Sequence, residues 1–145
     1  MFSHILIPTD GTKQSDKAIE NGIALAKKLG AKVTAVNCSV PWSAIAVGEI
    51  VSIFPEAEYV ETQNKEAQKL LETISDKAKA AGIEVTTRHL FHNHAYQGIL
   101  ETAKEAGCDL ICMASHGRRG LEGLLIGSET TKTLTHSEIP VLVYK

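Results

Sequence analysis

The chain has 145 residues, of which 43% are hydrophobic and 22% charged, and its net charge is −2. That length suits one domain, here residues 1–145, with a buried core, and those fractions are ordinary for a globular protein. The near-balanced charge argues against nucleic-acid binding through phosphate contacts, because there is no excess of Lys and Arg to release counterions.

The start, from Met1 to Pro8, lacks a basic n-region and has only a short apolar run, so it does not read as a signal peptide. No stretch of ~20 apolar residues is present, so no membrane span is expected. The three cysteines, Cys38, Cys108 and Cys112, are odd in number and lack CxxC spacing. A reduced, cytoplasmic compartment is the expected location.

His4 to Pro8 predicts a buried strand, ended by Thr9, Asp10 and Gly11. Gln14 to Leu29 predicts a helix with Ile19, Ile23 and Ala26 on one face and Gly30 as its stop. Lys32 to Ser39 is a second strand. Pro41 to Pro55 is apolar and irregular, with room for one helical turn. Its Trp42 and the run Ile45 to Phe54 are more apolar than a solvated loop needs, and suit a cover over a crevice, an interface, or a segment folded onto the core.

Tyr59 to Ala81 predicts a longer helix, with Ala67, Leu70, Leu71, Ile74 and Ala78 at helical spacing and Gly82 as cap. Ile83 to Phe91 is the third strand, Ala95 to Ala106 a helix closed by Gly107, and Leu110 to Met113 the fourth strand. Gly117 to Gly127 is glycine-rich, Ser128 to His136 is a helix, and Ile139 to Tyr144 is the last strand. Strands alternating with helices predict an α/β fold, a parallel sheet covered on both faces.

In open sheets of this kind, ligands bind beyond the carboxyl ends of the strands, where strand order reverses. Two loops carry suitable chemistry: Pro8 to Gly11 after strand one, and Ala114 to Ser128 after strand four. The second suits phosphate. Glycines let backbone N–H groups approach an anion, and Gly127-Ser128 opens a helix whose first N–H groups have no partner. The Ser128 hydroxyl can donate, and Arg118 and Arg119 add positive charge. No Gly-Lys-Ser/Thr closes the loop, so it is not a Walker A loop, and no GxGxxG follows strand one. The alternative is a plain glycine-rich connection with Ser128 as N-cap.

Asp10 before Gly11 suits a turn or a cap as well as a ligand. His89, His92 and His94 are close in sequence, but His89 belongs to a strand and the others to the following loop, so no metal site is expected. His116 lies in the glycine-rich loop and could orient phosphate or act as a base, or simply bond backbone. No Ser-His-Asp order or paired carboxylate supports a nucleophilic mechanism, and no catalytic residue is assigned. Cys112 reads as core. The last strand reads as a sheet edge, which invites pairing with another chain.

The order of elements, the opening strand ending in Pro8-Thr9-Asp10, the run Ser115 to Gly120 (Ser-His-Gly-Arg-Arg-Gly) and the closing Ile139 to Val143 (Ile-Pro-Val-Leu-Val) resemble the universal stress protein family over the whole chain. The resemblance implies a Rossmann-like five-stranded parallel sheet in the order 3-2-1-4-5. The family's ATP-binding branch carries Gly-x-x-Gly-x9-Gly-Ser/Thr. Here the positions are Ala114, Gly117 and Gly127 followed by Ser128, with the spacing intact and alanine in place of the first glycine. With strand-like φ that change is harmless, whereas a methyl aimed at ribose or phosphate would lower affinity.

Carried over position by position, the resemblance places Pro8, Thr9 and Asp10 by the nucleoside, with Asp10 accepting from ribose hydroxyls. It places Cys38 against adenine through its backbone, and Met113 and Ala114 beside the ribose. Gly117, Arg118, Gly127, Ser128, Glu129 and Thr130 would surround the phosphates, Glu129 and Thr130 mainly through N–H groups. The implied ligand is ATP, with ADP and AMP open; Mg²⁺ at Asp10 is the weaker alternative role for that carboxylate. The implied partner is a second copy, joined through Ile139 to Tyr144 in a homodimer. The implied function is a nucleotide-binding stress-response module. A slow ATPase or nucleotidyl-transfer enzyme, and a dimeric interaction module without nucleotide, are the alternatives.

Overall fold

Five short apolar runs build the sheet. The computed structural model describes residues 1–46, 55–116 and 126–145. Strands β1 (His4–Pro8), β2 (Lys32–Ser39), β3 (Val85–Phe91), β4 (Leu110–Ala114) and β5 (Val141–Tyr144) lie in the order β3-β2-β1-β4-β5. Every pairing is parallel. The chain moves outward from β1 through β2 to β3, then returns to the other side of β1, so order reverses between β1 and β4. The expected sheet order is the one found.

Helices α1 (Lys13–Leu29), α2 (Trp42–Ile45), α3 (Glu56–Ala80), α4 (Ala95–Ala106) and α5 (Ser128–His136) connect these strands. Successive side chains of a strand point to opposite faces, so the central strands supply two cores at once. Ile5, Ile7, Val33 and Cys112 pack on one face with Ile19, Ile23, Leu71 and Ile74. Leu6, Val36, Ile111 and Met113 pack on the other with Ile99 and Ala103. Ile5, Leu6 and Ile7 are fully buried, each contributing about 1.5–3 kcal/mol. This is why His4 to Pro8 reads as a continuous apolar run and not as an alternating one.

Element ends differ from expectation for local reasons. α3 starts at Glu56 and not at Tyr59, because its first turn carries Glu56 and Glu58, which complement the helix dipole but add no apolar period. It ends at Ala80, and the expected strand residue Ile83 serves its cap instead. Gly82 lies at φ +76°, its N–H bonds to Lys79 O, and the Ile83 N–H bonds to Ala78 O at 3.0 Å. β3 therefore starts at Val85. β5 starts at Val141 and not at Ile139, because the Ser137 hydroxyl bonds both the N–H and the C=O of Ile139 and Pro140 has no N–H to give a ladder. β4 runs one residue further than expected, to Ala114, and α1 begins one residue earlier, at Lys13. Most of the Gly117 to Gly127 stretch and of Ile45 to Phe54 lies outside the described residues.

Candidate functional site

Because β1 and β4 are neighbours, the loops after both open on the same end of the sheet. The loop after β1 is self-organised. Thr9 N–H bonds Val36 O at 2.9 Å. The buried Asn37 amide donates to Thr9 O at 2.9 Å, and Thr9 Oγ1 lies 3.2 Å from Ser15 Oγ. Asp10 Oδ1 accepts from both the N–H and the hydroxyl of Thr12, at 3.0 and 2.6 Å. Asp10 is thus an Asx-turn residue, with Gly11 at φ +79° completing the turn. Thr12, not Asp10, caps α1, its Oγ1 accepting from Ser15 N. Pro8 sits at the tip of β1, half-buried.

The end of β4 is held differently. Met113 and Ala114 are buried. Ala114 is strand residue opposite Tyr144, and among the described residues no non-glycine residue has positive φ. The backbone at Ala114 therefore makes no demand that alanine fails to meet. The Ala114 carbonyl accepts the Thr130 hydroxyl at 2.9 Å. Ser115 N–H bonds Tyr144 O at 2.8 Å, and Gly127 N–H bonds Ser115 O at 2.6 Å. The first and last of these bonds tie the start of α5 to the end of β4.

The N-cap of α5 is Gly127, in extended conformation (φ −69°, ψ 160°), which has no side chain to cap the helix. Ser128 is the first helical residue, which corrects the reading of Ser128 as N-cap. The N–H groups of Ser128, Glu129 and Thr130 have no partner within the helix. Glu129 is turned sideways: its Oε2 accepts the Tyr96 N–H at 3.0 Å, and its Oε1 meets Lys132 Nζ at 3.0 Å. Gly117 and Arg118, the other expected phosphate neighbours, lie outside the described residues.

Cys38 lies near the end of β2, half-buried, its side chain against Leu90, Gly98 and the α4 core. Burial first, then the Glu101 and Glu129 carboxylates, push its thiol up to about 12. It stays protonated at neutral pH and is no nucleophile. Burial likewise pushes Cys112 up to about 11. The histidines are separately engaged. His89 bonds Ser39 Oγ at 2.8 Å and packs on Phe91. Burial lowers its pKa. His92 Nδ1 accepts the His94 N–H at 3.0 Å, and His92 Nε2 is 3.6 Å from Glu101. His116 Nδ1 meets Ser115 Oγ at 3.0 Å. Among the described residues, no three His, Cys, Asp or Glu side chains are grouped to hold a metal ion.

A model of the universal stress protein family matches residues 1–145. The chain belongs to the universal stress protein family. Among its relatives, universal stress protein YxiE of Bacillus subtilis is 31% identical over 150 residues, covering all of both chains. Universal stress protein MJ0531 of Methanocaldococcus jannaschii is 30% identical, covering all of this chain and 83% of the relative. Among solved structures, the hypothetical protein MJ0577 superposes with a TM-score of 0.86 at 26% identity, over 100% of this chain and 96% of that one. A universal stress protein solved in complex with cAMP superposes at 0.69 and 22% identity, over 99% and 96%. One from Archaeoglobus fulgidus in complex with dAMP superposes at 0.61 and 16% identity, over 100% and 98%.

In this family member the residues that hold the loop after β1 and the start of α5 include several that motif reading passes over. Thr12 and Ser15 carried a cap signal at the right spacing. Asn37, a polar residue inside an apolar strand, was a visible oddity. Tyr96 and Lys132 gave no sequence signal, because their role comes from α4 lying beside α5. Among the described residues, no helix is long and apolar enough to cross a membrane.

Proposed function

We propose that the crevice at the carboxyl ends of β1 and β4 binds an adenine nucleotide, ATP in the first instance, and that the chain works as a nucleotide-responsive module of the stress response. One observation carries the reading. Of the helices α1, α4 and α5, α1 is sealed by its own Thr12 and α4 has its Tyr96 N–H taken by Glu129. α5 starts on Gly127, which has no side chain to cap it, shortly after the segment with the family's phosphate spacing. A helix start of that kind favours an anion through its N–H groups and its dipole. The strand conformation of Ala114 supports the reading, because the one departure from the motif needs no positive φ.

Ser128, Glu129 and Thr130 would offer N–H groups to phosphate, with Gly117, Arg118 and Gly127 beside them. Pro8, Thr9, Asp10, Met113, Ala114 and the Cys38 backbone would flank the nucleoside. Mg²⁺ would come with the phosphates, held mainly by their oxygens. Two relatives of the fold, solved with cAMP and dAMP, are consistent with an adenine ligand. β5 stands at the sheet edge, with Leu142 37% exposed on it, which supports a homodimer joined there. Leu142→Lys is expected to shift sedimentation toward monomer.

The test is direct. The purified protein is acid-extracted and the released small molecules are identified, and its Tm is followed against ATP, ADP and AMP. At a ligand concentration about 100-fold above Kd, binding adds about 2.7 kcal/mol and raises Tm by several degrees. No released nucleotide and no rise in Tm with any of the three would overturn the reading.

A further inference from the structure

A carboxylate in the first turn of the helix that offers its N–H groups to phosphate is an electrostatic contradiction, and the structure shows how it is managed. Glu129 is the second residue of α5. Both of its oxygens are engaged away from the helix axis, one by the Tyr96 N–H and one by Lys132, each at 3.0 Å. Lys132 also sits 5.7 Å from the centre of the Tyr96 ring, and that ring stacks on His136 at 5.3 Å. Tyr96 therefore grips α5 along its length: its amide at the first turn, its ring at the second and third.

Resting on the nucleotide reading above, we propose that Glu129 is a positioning and specificity residue. Tethered to Tyr96, it holds the α5 start in register with α4, and its charge, offset by Lys132, sets how much phosphate charge the crevice accepts. The physics has two parts. The Tyr96 bond gives an N–H at the start of α4 the acceptor that its own N-cap, His94, does not supply through its side chain. The carboxylate repels a bound phosphate, and this penalty grows with the number of phosphate charges, so it falls harder on ATP than on AMP. Lys132, 46% exposed beside a Glu129 that is 42% exposed, screens that penalty without abolishing it.

The proposal predicts opposite effects on stability and on binding. Glu129→Gln keeps an acceptor for Tyr96 but loses the favourable charge at the helix start, so Tm falls slightly. ATP affinity nevertheless rises, by about two- to fivefold relative to AMP. Lys132→Gln leaves the carboxylate uncompensated and moves the ratio the other way. A residue that acted only structurally would lower both stability and affinity.

The experiment uses calorimetric titration of the full chain with AMP and with ATP for wild type, Glu129→Gln and Lys132→Gln. It adds hydrogen exchange at the Tyr96 amide without nucleotide for Glu129→Ala and Glu129→Gln. The expected results are ATP-to-AMP affinity ratios that move in opposite directions, and faster Tyr96 exchange in Glu129→Ala that Gln largely restores. Wild type binding neither nucleotide would overturn the nucleotide reading and the charge role together. Normal wild-type binding with unmoved ratios would overturn the charge role alone. Unchanged Tyr96 exchange in Glu129→Ala would overturn the tether, whatever the nucleotide does.

Discussion

The two helix starts at the β1–β4 reversal are built in opposite ways. α1 seals itself: Asp10 grips Thr12, Thr12 accepts from Ser15 N, and seventeen residues follow with a buried face of Ala18, Ile19, Ile23 and Ala26. α5 has nine residues, starts on Gly127 and buries only Thr130 and Thr133. Thr131, Thr133 and Thr135 turn their hydroxyls back onto carbonyls four residues earlier, a habit of a helix with weak intrinsic propensity. What holds α5 comes from outside it: Ala114 O on the Thr130 hydroxyl, Ser115 O on the Gly127 N–H, and Tyr96 on Glu129. In α1 the N-cap side chain occupies the Ser15 N–H. A start that is positioned by neighbours, and whose N-cap residue has no side chain, is where the proposed anion would bind.

The contrast can be abolished by giving α5 a cap of its own. In Gly127→Asp the new carboxylate would accept from the Glu129 or Thr130 N–H, as Thr12 does for α1. Nucleotide affinity should fall by roughly a hundredfold, the loss of about 3 kcal/mol expected when charge-assisted hydrogen bonds are removed. Stability should hold or rise by a few tenths of a kcal/mol. Titration calorimetry beside thermal melting checks both, and undiminished ATP binding would contradict the contrast.

The support of α5 by α4 can be loosened next. A Cβ at Gly98 would lie 2.8 Å from Leu90 Cδ1, 3.0 Å from Cys38 Sγ and 3.4 Å from His92 Cβ. Gly98→Ala should therefore cost about 1–3 kcal/mol, seen in the urea midpoint. It should also weaken nucleotide binding, because α4 is the element that steadies α5. At the other helix, Thr12→Ala should cost about 1 kcal/mol of stability by losing the α1 cap. Ser128→Ala, outside the cap position, should change stability by less than about 0.5 kcal/mol. Equal losses from these two would show that the helix starts are alike after all.

The smallest effect concerns pH and serves as a control remote from the crevice. His4 is buried at the amino end of β1 with Nε2 2.8 Å from Thr34 Oγ1. Burial first, then the Lys32 charge, hold it below its ordinary 6.5 against the pull of Asp109 and Glu84. The unfolded chain thus takes up a proton more readily than the fold. The stability His4 contributes is present above about pH 6.5 and is lost as pH falls below it. In His4→Gln the fall in Tm between neutral and mildly acid pH should be shallower, with nucleotide affinity at pH 7 unchanged. A slope identical to wild type would remove His4 from the account.

Much of this molecule was legible in its residues. The apolar runs His4–Pro8 and Leu110–Met113, the helical spacing of Ile19, Ile23 and Ala26 and the glycine stop at Gly82 are local signals, set by side-chain period and backbone preference within a few positions, whereas the cap of α1 was read at Asp10 and is supplied by Thr12. The family and its phosphate spacing were legible for the same reason, since a spacing is a one-dimensional property. The helix ends near Pro55 and Ile83 were less so, because charge at a helix start and a cap that borrows Ile83 leave no periodic trace. What only the tertiary structure decided are the contacts between residues far apart in the chain. These are β1 beside β4, Asn37 on Thr9, Thr130 on Ala114, and Glu129 on Tyr96. Each depends on which strands become neighbours and how helices lie across them, and that is settled by burying two apolar faces of one sheet at the same time. The sequence thus determined that α5 would begin at a glycine. The packing of α4 and β4 decided where that helix start would be held.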